Sequence, residues 1–329
     1  MRLAAELRPK ISPNYIPNAA PQSMPAIPYA SAEEQRPQLP SNRPKPHNRP
    51  VAETLWQQRI RRAESLAAKY SFAGQILAFY IQLARFQQDL YQRLERSSAR
   101  VAQDAGPSNP GPPELPELLA TFPAFLALVR KHGPARLAQI AHDLGQAPYT
   151  SWTDLLNHTW SVQTPSIQTW SVQDPTEHPS DPTEFLALAF LQPYAEFIRC
   201  RVPLQLEGYT QPLCPFCSRK PGLAVLRPLG DGARRNLICG FCLCEWEFRR
   251  IVCPNCDEKD HAKLPVYTAD EFSYIRVECC DTCRTYIKSI DLSKNGLADP
   301  LVDELASVPL DLWAQERGYT KLHPNLLGM

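Results

Sequence analysis

Four pairs of cysteines, each with two residues between its members, restrict the possible folds of this chain more than any other feature. The pairs are Cys214/Cys217, Cys239/Cys242, Cys253/Cys256 and Cys280/Cys283. Two residues between thiolates form a tight turn, or knuckle, that presents both sulfurs to one metal ion. Two knuckles then complete a closed tetrahedral site. Ten of the 11 cysteines lie between positions 214 and 283, and this clustering favours metal binding over a disulfide framework.

The spacing between the pairs indicates how they combine. The gaps hold 21, 10 and 23 residues, and short β-prone runs fill the two long gaps. A β-hairpin in each long gap would return the second knuckle to the first. The simple prediction is therefore two successive sites, the first from the 214/217 and 239/242 pairs and the second from the 253/256 and 280/283 pairs. An interleaved pairing remains open from the sequence alone.

The remaining candidate ligands fit the pattern less well. A tetrahedral site of four sulfurs suits zinc and mononuclear iron equally, so we expect two ions of either metal per chain. Cys200, Cys244 and Cys279 lack the two-residue spacing and are predicted to be dispensable for metal binding. His261 follows Cys256 by five residues, but with all sulfur positions filled it is predicted to be a surface loop residue.

The rest of the chain divides by composition and periodicity. Residues 1–50 hold 11 prolines, and we expect a disordered tail. Residues 51–202 are expected to form an α-helical domain, because apolar residues recur at helical spacing in most of it. Within it, Thr159-Trp-Ser-Val-Gln recurs at Thr169, which predicts an inserted loop at about 158–182. The predicted helices cover about 52–69, 72–94, 114–132, 135–144 and 183–199.

The C-terminal part completes the predicted architecture. Residues 203–292 are expected to form a double metal-binding region, and residues 293–329 a C-terminal helical segment that Pro309 kinks or splits. The fold class is thus α plus small β: a helical N-terminal domain, two knuckle units of rubredoxin-like or zinc-ribbon-like type, and a C-terminal helix.

Charge and motif content exclude several classes of function. The formal net charge is +1, and two filled tetrathiolate sites would take residues 201–300 to about −3, which disfavours nucleic-acid binding. The longest apolar run has seven residues, far below the ~20 that a membrane span needs. Without a signal peptide we expect a cytoplasmic protein. No nucleophile elbow, phosphate-binding loop or metalloprotease motif occurs, so we do not expect an enzyme.

Several motifs in and after the cysteine-rich region carry a family resemblance: Leu213-Cys-Pro-Phe-Cys217, Leu237-Ile-Cys-Gly-Phe-Cys242, Val252-Cys-Pro-Asn-Cys256, Cys280-Asp-Thr-Cys283, Tyr286-Ile-Lys288 and Asp303-Glu-Leu-Ala306. With these motifs the chain resembles the FdhE family, the formate dehydrogenase accessory proteins. The resemblance covers about residues 51–319. The long tail, the repeated loop and Pro309 depart from the pattern that we expect of this family.

The resemblance implies a cytoplasmic maturation factor that binds the catalytic subunit of formate dehydrogenase and carries iron at its cysteines, without turnover of its own. Two other readings stay open at this point: a zinc-ribbon nucleic-acid-binding protein, and a mononuclear-iron redox protein. The sequence gives no oligomeric state.

Overall fold

The computed structural model describes residues 11–13, 54–101, 118–161 and 182–325. Its N-terminal part is helical, as predicted. Thr54 caps the first helix, because its side chain accepts the backbone N–H of Gln57 while the Gln57 side chain accepts that of Thr54. The helices are α1 Leu55–Lys69, α2 Gly74–Val101, α3 Phe122–His132, α4 Ala135–Gln146, α5 Tyr149–Ser161 and α6 Pro182–Arg199.

Helix α5 was not predicted from the sequence. Its last residues, Thr159 to Ser161, are the first residues of the repeated sequence, so positions 158–161 are helical and not part of a loop. Trp160 packs edge-on against Tyr194 of α6 and Phe241. The first repeat tryptophan therefore has a packing role, and residues 162–181 of the predicted insertion lie outside the described residues. Helix α6 begins at Pro182, one residue before the predicted start at 183.

The C-terminal part is one mixed β-sheet. The strands are β1 Ile11–Pro13, β2 Pro221–Leu229, β3 Gly232–Cys239, β4 Glu245–Glu247, β5 Val266–Ala269, β6 Ile275–Cys279, β7 Thr285–Asp291 and β8 Thr320–Lys321. In spatial order they run β1-β5-β6-β7-β2-β3-β4, and β8 pairs with β7. The predicted hairpins are β2–β3 and β5–β6, and a parallel contact between β2 and β7 joins them into a single sheet.

Strand β1 corrects one expectation. It lies in the proline-rich segment 1–50, yet Ile11–Pro13 pair antiparallel with Tyr267–Ala269 of β5. The prediction of disorder is therefore wrong for these three residues. A three-residue strand has almost no periodicity of its own, and pairing with a pre-formed edge stabilises it. The other residues of segment 1–50 lie outside the described residues.

Two hydrophobic cores connect the helices to the sheet. Helix α2 contributes to both, with Phe79 and Leu83 in one core and Leu77 and Tyr80 in the other. The first core also contains α3, α6 and cysteines of the first two pairs, and the second contains α1, β6, β7 and the C-terminal helices. The helical and cysteine-rich regions therefore share buried surface, and the domain boundaries drawn from the sequence stay predictions.

The C-terminal helical segment is split, as predicted for a run that contains Pro309. Helix α7 spans Pro300–Ala306 and α8 spans Val308–Glu316, with Ser307 between them and Pro309 in the first turn of α8. Proline is tolerated there because the first-turn N–H groups have no partner within the helix. Among the described residues, no helix has both the length and the apolar character to cross a membrane.

Candidate metal centre

The four cysteine pairs adopt one shared backbone geometry. In each, the residue after the second cysteine has a left-handed conformation, with φ between 55° and 58°: Ser218, Leu243, Asp257 and Arg284. In each, the N–H of the first cysteine donates to the carbonyl five residues later, at 2.8–2.9 Å. These bonds are Cys214 to Arg219, Cys239 to Cys244, Cys253 to Glu258 and Cys280 to Thr285. The four segments are therefore equivalent knuckles, although none carries glycine at the left-handed position.

The shared geometry also identifies the register of the last knuckle. Cys279 and Cys280 are adjacent, and either could start a pair by proximity alone. The five-residue hydrogen bond begins at Cys280, and Arg284 takes the left-handed position after Cys283. Cys279 instead lies in β6, where its N–H donates to the Pro265 carbonyl.

The knuckles meet in sequential order and form two clusters of four sulfurs. In the first cluster, the Sγ atoms of Cys214 and Cys242 lie 3.4 Å apart, as do those of Cys217 and Cys239. The β2–β3 hairpin brings these knuckles together, because Pro221 of β2 pairs with Cys239 at the end of β3. All four ligand atoms lie within 4.8 Å of one another.

The second cluster repeats this construction with the β5–β6 hairpin. The Sγ atoms of Cys253 and Cys283 lie 3.7 Å apart, and those of Cys256 and Cys280 lie 3.6 Å apart. Its two knuckles are also tied together at the surface, since Thr282 Oγ1 donates to Glu258 Oε2 at 2.5 Å. The grouping is sequential, and no interleaved cluster occurs among the described residues.

The sulfur spacing fits a tetrahedral metal ion. Metal–sulfur bonds of about 2.3 Å place the sulfurs of a tetrahedral site about 3.8 Å apart. The short separations in the two clusters, 3.4–3.7 Å, are close to that edge length. Four sulfur donors without an oxygen donor select zinc or iron over magnesium or calcium. Each cluster could therefore hold one such ion, and its sulfurs leave no coordination position for a substrate.

Hydrogen bonds among the thiols of each cluster lower the pKa of one cysteine, and the deprotonated sulfur is the form that binds a cation. Hydrogen bonds from Cys217 and neighbouring thiols lower the pKa of Cys214, and a hydrogen bond with Cys253 lowers the pKa of Cys283 to about 4. Burial raises the pKa of Cys256 to about 12. Each cluster thus stabilises one thiolate with the S–H groups of its neighbours, and a metal ion would replace those protons.

The two clusters differ in exposure. Three cysteines of the first are buried and Cys217 is partly exposed, whereas in the second Cys256 is exposed and Cys283 partly exposed. The first cluster also packs into the helical core beside Phe241 and Trp246. The backbones of Gly222 and Gly240 approach closely there, so that a Cβ on Gly222 would lie 2.9 Å from the Gly240 Cα.

A second layer of groups contacts the sulfurs, and sequence reasoning missed it. Thr285 Oγ1 lies 3.1 Å from Cys283 Sγ. Cys244 takes the equivalent position after Cys242, and Cys214 together with burial raises the pKa of its thiol. Both residues follow the second cysteine of a knuckle by two positions, and this spacing could have indicated them from the sequence. Neither Cys244 nor His261, which lies in an exposed turn, belongs to a four-ligand cluster.

Three arginines near the clusters form ion pairs with carboxylates. Arg235 is buried, and its guanidinium lies 2.7 Å from Glu278. Arg234 pairs with Glu247, and Arg249 pairs with Asp257. These guanidinium groups therefore do not form a free basic face for phosphates.

The fold and site define a class of protein: helices packed on a mixed sheet that holds two tetracysteine clusters. Residues 251–327 match the family model described as "FdhE, C-terminal domain". A protein FdhE homolog from Aquifex aeolicus is 37% identical over 150 residues, which are 45% of this chain and 53% of that protein. A homolog from Pseudomonas aeruginosa is 36% identical over 127 residues, 37% of this chain and 41% of that protein.

The chain is similar to FdhE proteins, and its matches span about half the length or less of these curated relatives. Its fold is also similar to the crystal structure of the FdhE protein from Pseudomonas aeruginosa. That likeness has a TM-score of 0.55 at 23% identity and covers 83% of this chain and 95% of the other. The resemblance stated from the sequence is confirmed.

Proposed function

We propose that this protein is an accessory factor for formate dehydrogenase that binds the catalytic subunit in the cytoplasm and supports its maturation in a chaperone-like role. The observation that carries the proposal is the pair of closed tetracysteine clusters in a chain that matches the FdhE C-terminal domain. Closed sites supply folding free energy and shape, not an open coordination position for turnover. The role is therefore binding without catalysis.

The metal is proposed to be iron or zinc, two ions per chain, at Cys214, Cys217, Cys239 and Cys242 and at Cys253, Cys256, Cys280 and Cys283. Backbone N–H groups approach two of the sulfurs, Phe241 to Cys239 and Asn255 to Cys253, both at 3.4 Å. Such bonds stabilise thiolate charge with either metal. Metal analysis of anaerobically purified protein, with its visible spectrum, would distinguish them, because ferric sulfur sites absorb visible light and zinc sites do not.

A nucleic-acid-binding role is less well supported. Ion pairs engage Arg234, Arg235 and Arg249, and filled tetrathiolate sites add negative charge. Binding to DNA or RNA at physiological salt would favour this alternative over the accessory role, if the slope of log binding constant against log salt concentration indicates several phosphate contacts.

The experiment that tests the accessory role uses single cysteine variants in cells. Cys217→Ser and Cys283→Ser each leave three thiolates, and the affected cluster should lose much of its metal affinity and shape. We expect lower formate dehydrogenase activity, and a catalytic subunit that is synthesised but no longer co-purifies. Cys200→Ser is the matched control, because Cys200 is exposed and outside both clusters.

Deletion of residues 1–50 adds a second comparison. We expect co-purification to persist, because the clusters lie outside this segment. If the deletion abolishes co-purification while both knuckle variants retain it, the tail is the docking element. Wild-type activity in a strain with both knuckle substitutions would rule out the accessory role for the clusters.

A further inference from the structure

The outer edge of β5 is a place where another polypeptide could add a strand. Strand β5 pairs with β6 on one side, and among the described residues its other side pairs with the three residues of β1 alone. An edge strand presents a row of backbone donors and acceptors that templates the pairing of an extended chain. The β5–β6 hairpin also joins the two knuckles of the second cluster, so this edge is held beside a candidate metal centre.

The ladder alternation shows which backbone groups serve this edge. Cys279 N–H donates to the Pro265 carbonyl, so residues 265, 267 and 269 direct their backbone groups towards β6. Residues 266 and 268 direct theirs outward. In the β1 register Ser12 faces Thr268, so these two residues form the hydrogen-bonded pair of the short ladder.

The position of Pro13 follows the same logic. Ile11 and Pro13 face Ala269 and Tyr267 in the pairs that exchange no backbone hydrogen bonds. The missing N–H of Pro13 therefore costs no bond to β5. It also leaves the outer side of β1 without a donor at that point, which protects the sheet from further strand addition.

The shortness of β1 favours exchange. Its ladder with β5 has three residue pairs, of which one is hydrogen-bonded, whereas Val266 also directs its backbone groups outward. A longer extended segment would therefore form more ladder bonds with β5 and would displace β1.

We propose that the β5 edge is a peptide-docking surface that Ile11–Pro13 of the same chain occupies until an extended segment of another protein replaces it. The partner segment would donate one N–H to the Thr268 carbonyl, as Ser12 does. Asp270 and Glu271 are exposed and follow Ala269 directly, so the surface favours a segment with basic residues before its first paired position. The proposal for this surface does not require the partner protein to be the formate dehydrogenase subunit of the accessory role.

The test uses the full-length chain and a fluorescent peptide of residues 6–18 as the probe. Ser12→Pro in the chain removes the inward N–H and should free the edge. The labelled peptide should then bind at least about tenfold more tightly than to the wild-type chain, in which the tethered strand competes. Ile11→Pro is the matched control, because it removes an outward N–H, and it should bind the peptide as the wild type does.

Two further arms make the result specific to the edge. The reference is the affinity of the wild-type peptide for the Ser12→Pro chain. A peptide that itself carries Ser12→Pro should bind this chain at least about tenfold more weakly. The wild-type peptide should show the same loss when the chain also carries Thr268→Pro. Metal content unchanged from wild type shows that these chains remain folded. A peptide with Arg8→Glu and Lys10→Glu should also bind less, most clearly at low salt.

Three outcomes overturn the proposal. The first is that the Ser12→Pro and wild-type chains bind the peptide with equal affinity. The second is that the peptide carrying Ser12→Pro binds as tightly as the wild-type peptide. The third is that the wild-type chain is a dimer and Ser12→Pro converts it to a monomer. The last result would assign the edge to the tail of a second copy of this chain. None of these measurements depends on formate dehydrogenase, so their failure is distinct from failure of the accessory role.

Discussion

Lys288 Nζ lies 2.5 Å from Asp311 Oδ2, and the Lys288 side chain is completely buried, so this ion pair joins β7 to α8 inside the protein. Glu304 of α7 lies 2.9 Å from the same ammonium, and Lys321 of β8 contacts both carboxylates. Burial opposes ionisation of Asp311, but Lys288 and Lys321 lower its pKa below the usual value. Tyr286 also donates a hydrogen bond to Asp311. Two cations therefore balance two carboxylates in the interior of the protein.

Removing one of these charges should destabilise the fold strongly. Lys288→Met leaves two buried carboxylates with one cation, and loss of one partner from a buried pair costs about 3–5 kcal/mol. We expect urea denaturation of the metal-loaded variant to show a loss of that size. The control is Lys259→Met, because Lys259 is 60% exposed and its pair with Asp257 should contribute little. Equal stability of both variants would contradict the expectation.

Metal content should follow the two clusters. The wild-type chain should bind two ions, and Cys217→Ser and Cys283→Ser should each leave about one, because three thiolates hold a metal weakly. Cys200→Ser, Cys244→Ser and Cys279→Ser should leave the content at two. Elemental analysis of purified variants measures this. Loss of one ion from Cys279→Ser would show that the knuckle register at Cys280 is wrong, and a metal-free, well-folded wild type would refute both sites.

The second cluster has an outer contact that can be tested separately. Thr285→Val removes the hydroxyl that lies 3.1 Å from Cys283 Sγ, and loss of such a hydrogen bond typically lowers metal affinity 10–100-fold. We expect this change at the second site alone, measured by chelator competition. Cys244→Ala is the matched variant at the first site. An unchanged affinity of both variants would mean that these contacts are structural only.

The sequence predicted the cysteine clusters well because their rules are local. Two-residue spacing determines the knuckle, and hairpin-sized gaps determine which knuckles meet. Helix α2 was likewise predictable, since Leu77, Tyr80, Leu83 and Leu90 recur at helical spacing over a long stretch.

Long-range relationships were not predictable in the same way. The parallel contact of β2 with β7, which fuses the hairpins into one sheet, depends on residues more than 60 positions apart. Helix α5 has weak amphipathic periodicity and a Ser/Thr-containing sequence, and it is stabilised by packing of Leu156 and Trp160 into the core. The burial of Arg235 required knowledge that Glu278 would lie opposite.

Acid should destabilise the protein through His323. Burial lowers the pKa of this imidazole to about 4, and the nearby charges of Arg219, Lys220 and Lys321 act in the same direction. The folded state therefore favours the neutral ring. This contribution to stability is present above the unfolded pKa of about 6.5 and is lost as the pH falls towards 4.

His323→Gln should reduce that pH dependence. Its denaturation midpoint should change less than that of the wild type between pH 7 and pH 4.5, with metal content measured in parallel. The His323 ring lies close to Gly240, and a Cβ on Gly240 would be 2.9 Å from its Nδ1. The glutamine side chain is slightly smaller than the imidazole and fits in the same space. Parallel pH curves for the two proteins would show that His323 does not cause the acid sensitivity.

The two clusters should release metal at different rates, the second first. Cys256 is exposed and Cys283 partly exposed, so a chelator or a proton can reach this cluster directly, whereas the first is enclosed by Phe241, Trp246 and the helical core. A chelator added to the loaded protein should therefore remove metal in two phases. Cys283→Ser should lack the fast phase and Cys217→Ser the slow one, as recorded by a colorimetric chelator. A single phase, or a fast phase that persists in Cys283→Ser, would contradict this order. Because the second cluster closes the β5–β6 hairpin, its release should also lower protection of the β6 amides from hydrogen exchange before that of β3.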